Sequence, residues 1–457
     1  MSALRVAIVG GGWAGLSAAV AARQAGHSVT VFEATHALGG RARSLAITLP
    51  DGRSVQADNG QHILIGAYTH TLALLRQVGI ELDTTLLRLP LSLRFADGSG
   101  LHTPALARHW PAPLDALAAI VCTKSWSWGE RMALLCMAWR WQRGRFSCPS
   151  SLRVAQLCQG LPLRVMRDMV EPLCVAALNT PAQTASAQVF LRVLQDALFG
   201  VRGGSHLLLP RCDLSALLPY AAQRWLAGQA GSSAQVHLGQ RVQTLAMQGR
   251  ALAPQWSVND QPFDAVICAA DATAAARLVS TAADHAPPPL GNTLRTWAAQ
   301  AQALRFEAIT TVYAWQAGAR LNAPMVALRS GPQQPAQFAF DRGQLGGPAG
   351  LLALVASASA SDRSTVQAQA LTQAREQLGW SHVQVLQTVV EKRATFACTP
   401  GLQRPPALIA PGLLAAGDYV AGPYPATLEG AVRSGQEAAR LLGVCRTCGV
   451  DSENRPQ

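Results

Sequence analysis

The sequence predicts an α/β fold: a Rossmann-like nucleotide-binding domain built from separate stretches of the chain, with a discontinuous α+β domain inserted between them. Three observations predict it. A strand, a glycine turn, a helix and a second strand ending in an acid succeed one another over residues 4–33. A glycine pair follows directly at 39–40, and a strand ending in Gly417-Asp418 stands at the far end of the chain.

The first unit carries the most information. Leu4 to Val9 is a short apolar run of strand formers, broken by Gly10-Gly11-Gly12-Trp13-Ala14-Gly15. Gly10 permits the tight turn, Gly12 lets the backbone approach a pyrophosphate, and Gly15 lets the following helix pack close to the sheet. Trp13 and Ala14 belong to the same turn and count with the glycines as binding positions. The helix N-terminus turns free N–H groups and a positive dipole end toward the phosphates. Ser28 to Phe32 is the second strand, and Glu33 at its tip is placed to accept from adenosine ribose hydroxyls.

The next stretch, Ala34 to Ser44 with Gly39-Gly40-Arg41, resembles the second signature of the FAD-dependent amine oxidase, phytoene desaturase and protoporphyrinogen oxidase superfamily. The resemblance implies FAD rather than NAD, in a domain of the glutathione-reductase type. It also implies that Gly39 and Gly40 let the loop cross under the diphosphate and that Arg41 neutralises it.

Composition narrows the rest. At 457 residues, 49% hydrophobic and 14% charged, the chain has the apolar content for two intimately joined domains. The net charge of +12 rests almost wholly on arginine, because lysine occurs only at 124 and 392. No compact basic run with aromatic platforms appears, which argues against nucleic acid as a partner. An anionic membrane surface suits the excess charge better. The ten cysteines are scattered, with one CxxC at Cys445 and Cys448, and read as reduced thiols with no metal site. Neither a signal peptide nor an apolar run long enough to span a membrane is seen, so a cytoplasmic protein is expected, able to touch the inner face of the cell membrane.

Along the chain, Ala46–Leu49 and Ser54–Ala57 flank a Pro-Asp-Gly turn, predicting a hairpin. The second arm enters Asp58-Asn59-Gly60-Gln61-His62, an apolar run and Tyr68. This wording, with Glu391-Lys392-Arg393-Ala394-Thr395-Phe396, resembles one branch of the superfamily, the squalene-associated desaturase-like proteins identified as hydroxysqualene dehydroxylases. By that resemblance residues 58–68 lie near the isoalloxazine. Asp58, His62 and Tyr68 are then candidate proton donors by position, His62 having a second reading as a cap of the turn. Lys392 reads either as a flavin neighbour or as a solvent-facing strand end.

Residues 87–95 read as one strand, and 114–122 and 126–141 as helices. The second mixes Trp126, Trp128, Trp139 and Trp141 with Arg131 and Arg140, which suits a membrane interface or a helical core with a polar outer face. Residues 214–226 read as an amphipathic helix, and Val236–Leu238 with Val242–Leu245 resemble the superfamily's strand pair, which implies that Val242 reaches the adenine side. Pro287 to Pro289 reads as a linker. Near the C-terminus, Asp418 is placed to accept from a ribityl hydroxyl, and the helix after Pro425, with Ala426 and Thr427 at its start, offers N–H groups to the flavin pyrimidine.

The resulting organisation places the nucleotide domain at 1–68, 201–286 and 386–444, the inserted domain at 69–200 (largely helical) and 287–385 (a sheet floor), and a polar tail at 445–457. The resemblance implies an FAD oxidoreductase that removes an allylic hydroxyl from an apolar isoprenoid, fed by a reductant the sequence does not identify. A carotenoid desaturase, a flavin amine oxidase with Tyr419 and Tyr424 as its aromatic pair, and a non-catalytic FAD-stabilised scaffold remain as alternatives.

Overall fold

The computed structural model describes residues 3–107, 110, 112–229, 233–248, 255–359 and 361–444. The CxxC and the polar tail lie outside these residues. A six-stranded sheet runs in the order Ala234–His237, Ser28–Phe32, Arg5–Val9, Ala265–Cys268, Leu413–Ala415 and Leu408–Ala410. Its first five strands are parallel and the last is an antiparallel edge. Strands buried on both faces read as continuous apolar runs, and Arg5–Val9 shows why. Val6 and Ile8 face one core while Ala7 and Val9 face another.

Helix Trp13–Gln24 crosses from the first strand to the second, and helix Leu428–Val444 packs on it, with Ser17 Oγ donating to the Val432 carbonyl at 2.9 Å. The two ends of the chain thus share one core.

A second, antiparallel sheet runs Met325–Ala327, Phe338–Asp341, Leu351–Ser357, Phe306–Trp315 and Gln384–Phe396. Period-two alternation divides its residues. Val312, Ala314, Leu352 and Leu354 face a small core shared with Ala370 and Ala374 of helix Arg363–Leu378. Ile309, Tyr313, Phe338, Phe340 and Val355 face the opposite way, into the core that adjoins the parallel sheet.

Several local expectations are corrected, mostly at proline. The strand expected over 87–95 is two, Leu86–Leu89 and Ser92–Arg94, because Pro90 lacks the N–H that would continue the ladder. The helix expected over 214–226 is split into Leu214–Leu217 and Pro219–Ala227. Pro288 and Pro289, taken for a linker, open helix Pro288–Gln302, since proline costs nothing in a first turn whose N–H groups have no intrahelical acceptor. Val236 and Leu245 do not pair. Strand Ala234–His237 joins the parallel sheet and Leu245–Gln248 a separate three-stranded one, with Val242 in the irregular backbone between them. The packing around the parallel sheet also runs past residue 68: Leu72, Leu74 and Leu75 of helix Thr69–Gln77 join its core.

Candidate functional site

The parallel strands reverse their order of connection at Arg5–Val9, and the crevice outside the carboxyl ends of such strands is where ligands bind. A cavity of about 1080 Å³ opens there. Val9, Phe32, Glu33, Ala269 and Ala270 at the strand ends line it on one side, and Ile309, Phe338, Phe340 and Val355 of the antiparallel sheet line it on another.

Of the positions expected to bind cofactor, Gly10, Gly12, Trp13, Ala14, Glu33, Gly39, Gly40, Arg41, Val242, Gly417, Asp418, Ala426 and Thr427 line this cavity. Gly15 does not. It lies beneath the turn, where an added Cβ would stand 1.9 Å from the Gly10 carbonyl oxygen, and so it sets how closely the helix approaches the strand.

The two glycine loops lie side by side. Gly39 N–H donates to the Gly11 carbonyl at 2.8 Å, and Gly12 and Gly39 form an isolated bridge. Glu33 holds the first loop: one carboxylate oxygen accepts from Gly11 N–H at 2.8 Å, the other from the Thr35 N–H and hydroxyl. Gly12 caps helix Trp13–Gln24 without a side-chain acceptor, so the first-turn N–H groups have none from the cap. At the other end Thr427 accepts from Gly430 N–H at 3.0 Å, at the start of helix Leu428–Val444.

Arg41 ties the N-terminal signature to the C-terminal one. It pairs with Asp418 at 2.6 Å and donates to the Ala394 carbonyl at 2.5 Å. The Asp418 side chain is nine-tenths buried. An Arg41→Met variant is therefore expected to lose about 2–3 kcal/mol of stability in urea titration, because it leaves that carboxylate without its cation; Asp418→Asn in the same chain is expected to restore part of it.

The candidate proton donors separate. Asp58 is not among the residues lining the cavity. It is buried, its carboxylate accepting from Leu214 N–H at 2.8 Å and facing Arg342 at 3.9 Å, while its backbone carbonyl accepts from the Tyr313 hydroxyl at 2.7 Å. Burial pushes its carboxyl up to about 6 against the opposing pull of Arg342. A carboxyl whose proton is held more tightly in the folded than in the unfolded chain costs stability on ionising. Stability is thus expected to fall by about 2 kcal/mol between pH 4 and pH 6, and Asp58→Asn to flatten that slope in urea titrations at each pH.

His62 and Tyr68 both line the cavity. Burial pushes His62 down to about 4, so the ring is neutral near pH 7. Its Nδ1 lies 3.3 Å from the Gly60 carbonyl, which can only accept, so Nδ1 carries the proton and Nε2 is an acceptor. Burial raises Tyr68, the negative Glu429 raises it further, and the phenol keeps its proton. Glu429 also sets its position, accepting from the N–H groups of His70 and Thr71 at the start of the helix that Tyr68 caps.

Two further lining residues had no binding role in the sequence reading: Gln61, and Tyr419, named there only for the amine oxidase alternative. Gln61 is held between the Tyr313 hydroxyl at 2.9 Å and Arg342 at 3.3 Å. The Tyr419 hydroxyl is buried with no hydrogen-bond partner among the described residues, beside the Gly417 turn. Lys392 is exposed, as the solvent-facing reading has it, but it lies within strand Gln384–Phe396 and not at its end.

A family model described as flavin containing amine oxidoreductase matches residues 13–442. The chain belongs to the flavin-containing amine oxidoreductase family. As a member it is an FAD-dependent oxidoreductase, and the cavity fits that cofactor: Gly12 leaves room for a close backbone approach, and the Tyr419 hydroxyl is a buried donor awaiting an acceptor. The chain is 28% identical over 468 residues to a hydroxysqualene dehydroxylase of Rhodopseudomonas palustris, covering 96% of this chain and 98% of that one. Its 37% identity to the zeta-carotene desaturase of Solanum lycopersicum extends over only 78 residues, 17% of this chain and 13% of the other. An oxidoreductase from Methanosarcina mazei has the same fold, with a TM-score of 0.69, 14% identity and coverage of 95% and 100% of the two chains.

Proposed function

We propose that the protein reductively removes the allylic hydroxyl of hydroxysqualene, giving squalene. The reaction breaks a C–O bond and forms a C–H bond in its place, and the hydroxyl leaves with a proton as water. Bound FAD, kept reduced by an external reductant, supplies the hydride. The observation that carries the reading is one continuous cavity with nucleotide loops on one side and an apolar wall on the other. Ile309, Phe338, Phe340 and Val355, with Val175 on helix Glu171–Leu178, make that wall. The near full-length match to a dehydroxylase supports it, where the carotenoid desaturase match is short.

The chain's own residues take these parts in the proposal. The two glycine loops, Glu33, Val242, Arg41, Asp418, Ala426, Thr427 and the Tyr419 hydroxyl hold the cofactor. Tyr68 delivers the proton to the departing hydroxyl, and neutral His62 orients that hydroxyl by accepting from it at Nε2. Asp58 acts behind the site, fixing the backbone at the start of the loop that carries Gln61 and His62. An amine substrate has less support, because Tyr424 is engaged by Arg192 and Arg433 and does not line the cavity.

An apolar substrate of this class resides in the bilayer, so the proposal includes peripheral contact with the cytoplasmic face of the membrane. No described helix is long and apolar enough to cross it. The test is to mix photoreduced protein anaerobically with hydroxysqualene, following flavin reoxidation and squalene together. Stoichiometric reoxidation with squalene formed is the expected result. Reoxidation without squalene, or flavin that stays reduced, overturns it, the second outcome favouring a desaturase or a scaffold.

A further inference from the structure

Among the described residues thirteen large hydrophobic side chains are exposed, and nine of them fall between residues 106 and 163. They are organised by helix periodicity. On helix Trp128–Arg143 the residues Leu134, Met137 and Trp141 are buried, while Trp128 (66% exposed), Met132 and Trp139 (57%) lie on the opposite face. Helix Leu114–Cys122 repeats the pattern: Ala116, Ala119 and Ile120 are buried, and Leu114, Leu117 and Val121 are exposed on the other side. The two helices touch, and the longer one touches the short helix Leu163–Val165, whose Leu163 is 87% exposed. A surface helix of a globular protein needs one apolar face. These have two.

The charge around this second face is one-sided. Between 112 and 168 the described cations are Lys124, Arg131, Arg140, Arg143, Arg145, Arg153, Arg164 and Arg167, against Glu130, the buried Asp115 and the buried Asp168, which pairs with Arg167 at 3.0 Å. Arg131 stands over the Trp128 ring at 4.7 Å and Arg143 over Trp139 at 5.2 Å, so the exposed indoles are flanked by guanidinium groups. Indole at headgroup depth beside cations that meet phosphate is the chemistry of an interface with anionic lipid.

We infer that this face docks on the surface of an anionic phospholipid bilayer. It specifies the membrane contact included in the proposed function, yet it stands on exposed side chains and charge alone, whatever the substrate. The face also leads inward. A continuous helical run from Leu163 to Leu178 carries the exposed Leu163 at its start and the cavity-lining Val175, Ala176 and Ala177 near its end. That is about 20 Å at 1.5 Å per residue.

The test is flotation of the FAD-loaded protein with vesicles of phosphatidylcholine alone and of phosphatidylcholine with phosphatidylglycerol, without substrate. Binding to the anionic vesicles, weakened by salt, is expected, with at least a tenfold loss of apparent affinity in Trp128→Ser/Trp139→Ser/Leu163→Ser. A control with Tyr220→Ser and Leu408→Ser, exposed positions elsewhere on the chain, is expected to bind as the parent does. Three results overturn the inference: no binding of the parent to anionic vesicles, unchanged binding of the triple variant, or a lipid-free dimer that the triple variant dissolves. Because no turnover is measured, failure here and failure of the dehydroxylation are separate outcomes.

Discussion

A Gly12→Val variant is expected to fold, to lie within about 1 kcal/mol of the flavin-free parent in urea titration, and to elute without bound flavin. Gly12 has φ −75° and ψ 179°, a conformation open to any residue, and the nearest atom to an added Cβ is the Gly40 Cα at 3.9 Å. The polypeptide therefore has room for a side chain there, and that room belongs to the cavity. In the proposed assignment, methyl groups placed in it stand where the two glycine loops would hold the pyrophosphate. A loss of FAD affinity of a hundredfold or more is expected, read as flavin absorbance per chain after gel filtration, with far-ultraviolet circular dichroism unchanged. Gly15→Val is the contrast. Its Cβ would stand 1.9 Å from the Gly10 oxygen and 3.2 Å from the Ala269 Cβ, so helix and sheet must separate, and loss of the fold itself is expected. Full flavin occupancy in Gly12→Val would remove the loop from the binding site.

The contrast also explains what was readable beforehand. A strand that ends in glycines and turns into an alanine-rich helix has few alternatives, because Gly10 sits at φ +114° and Gly15 at a contact no Cβ survives. These constraints are local, so they are written locally. Gly417-Asp418 was readable for the same reason, as a strand ending where the backbone must turn. The ion pair of Arg41 with Asp418 was not: 377 residues separate the partners, and each motif has a sufficient reading alone.

Strand partners and burial escaped in the same way. Nothing near Val236 or Leu245 tells that one joins a parallel sheet and the other a separate antiparallel one, since pairing is decided by strands distant in sequence. Asp58 and His62 share a five-residue motif, yet the first points at Leu214 and Arg342 and the second lines the cavity. Trp126 and Trp141 are 2% and 8% exposed, as the core reading of that stretch requires, while Trp128 and Trp139 face outward. Their spacing carried the division. Trp128 and Trp139 are eleven residues apart, close to three full turns, whereas Trp141 falls on the other side.

Tyr68→Phe is expected to lower turnover about 10²- to 10³-fold with flavin occupancy and fold retained, within the range typical of a lost general acid. The substitution removes one oxygen and keeps the ring of the N-cap residue of helix Thr69–Gln77, whose first turn remains anchored by Glu429. Of the three candidates Tyr68 alone combines a place in the cavity with a transferable proton near pH 7. Asp58 is outside the lining, and His62, pushed down to about 4 with its Nδ1 proton committed to Gly60, presents a bare acceptor. His62→Gln keeps a hydrogen-bonding side chain and is expected to cost no more than about tenfold. The pH profile separates the roles further. With Tyr68 raised by burial and His62 neutral above about pH 5, turnover is expected to be level from pH 7 to pH 9, whereas a histidine acid would give a falling limb. A falling limb through pH 7 that vanishes in His62→Gln, with Tyr68→Phe near parental turnover, would assign the proton to His62. It would also require a contact to His62, made in the loaded enzyme, that raises its affinity for the proton by more than two pH units. The paired profiles, measured on FAD-loaded protein under single-turnover conditions, decide between the two residues.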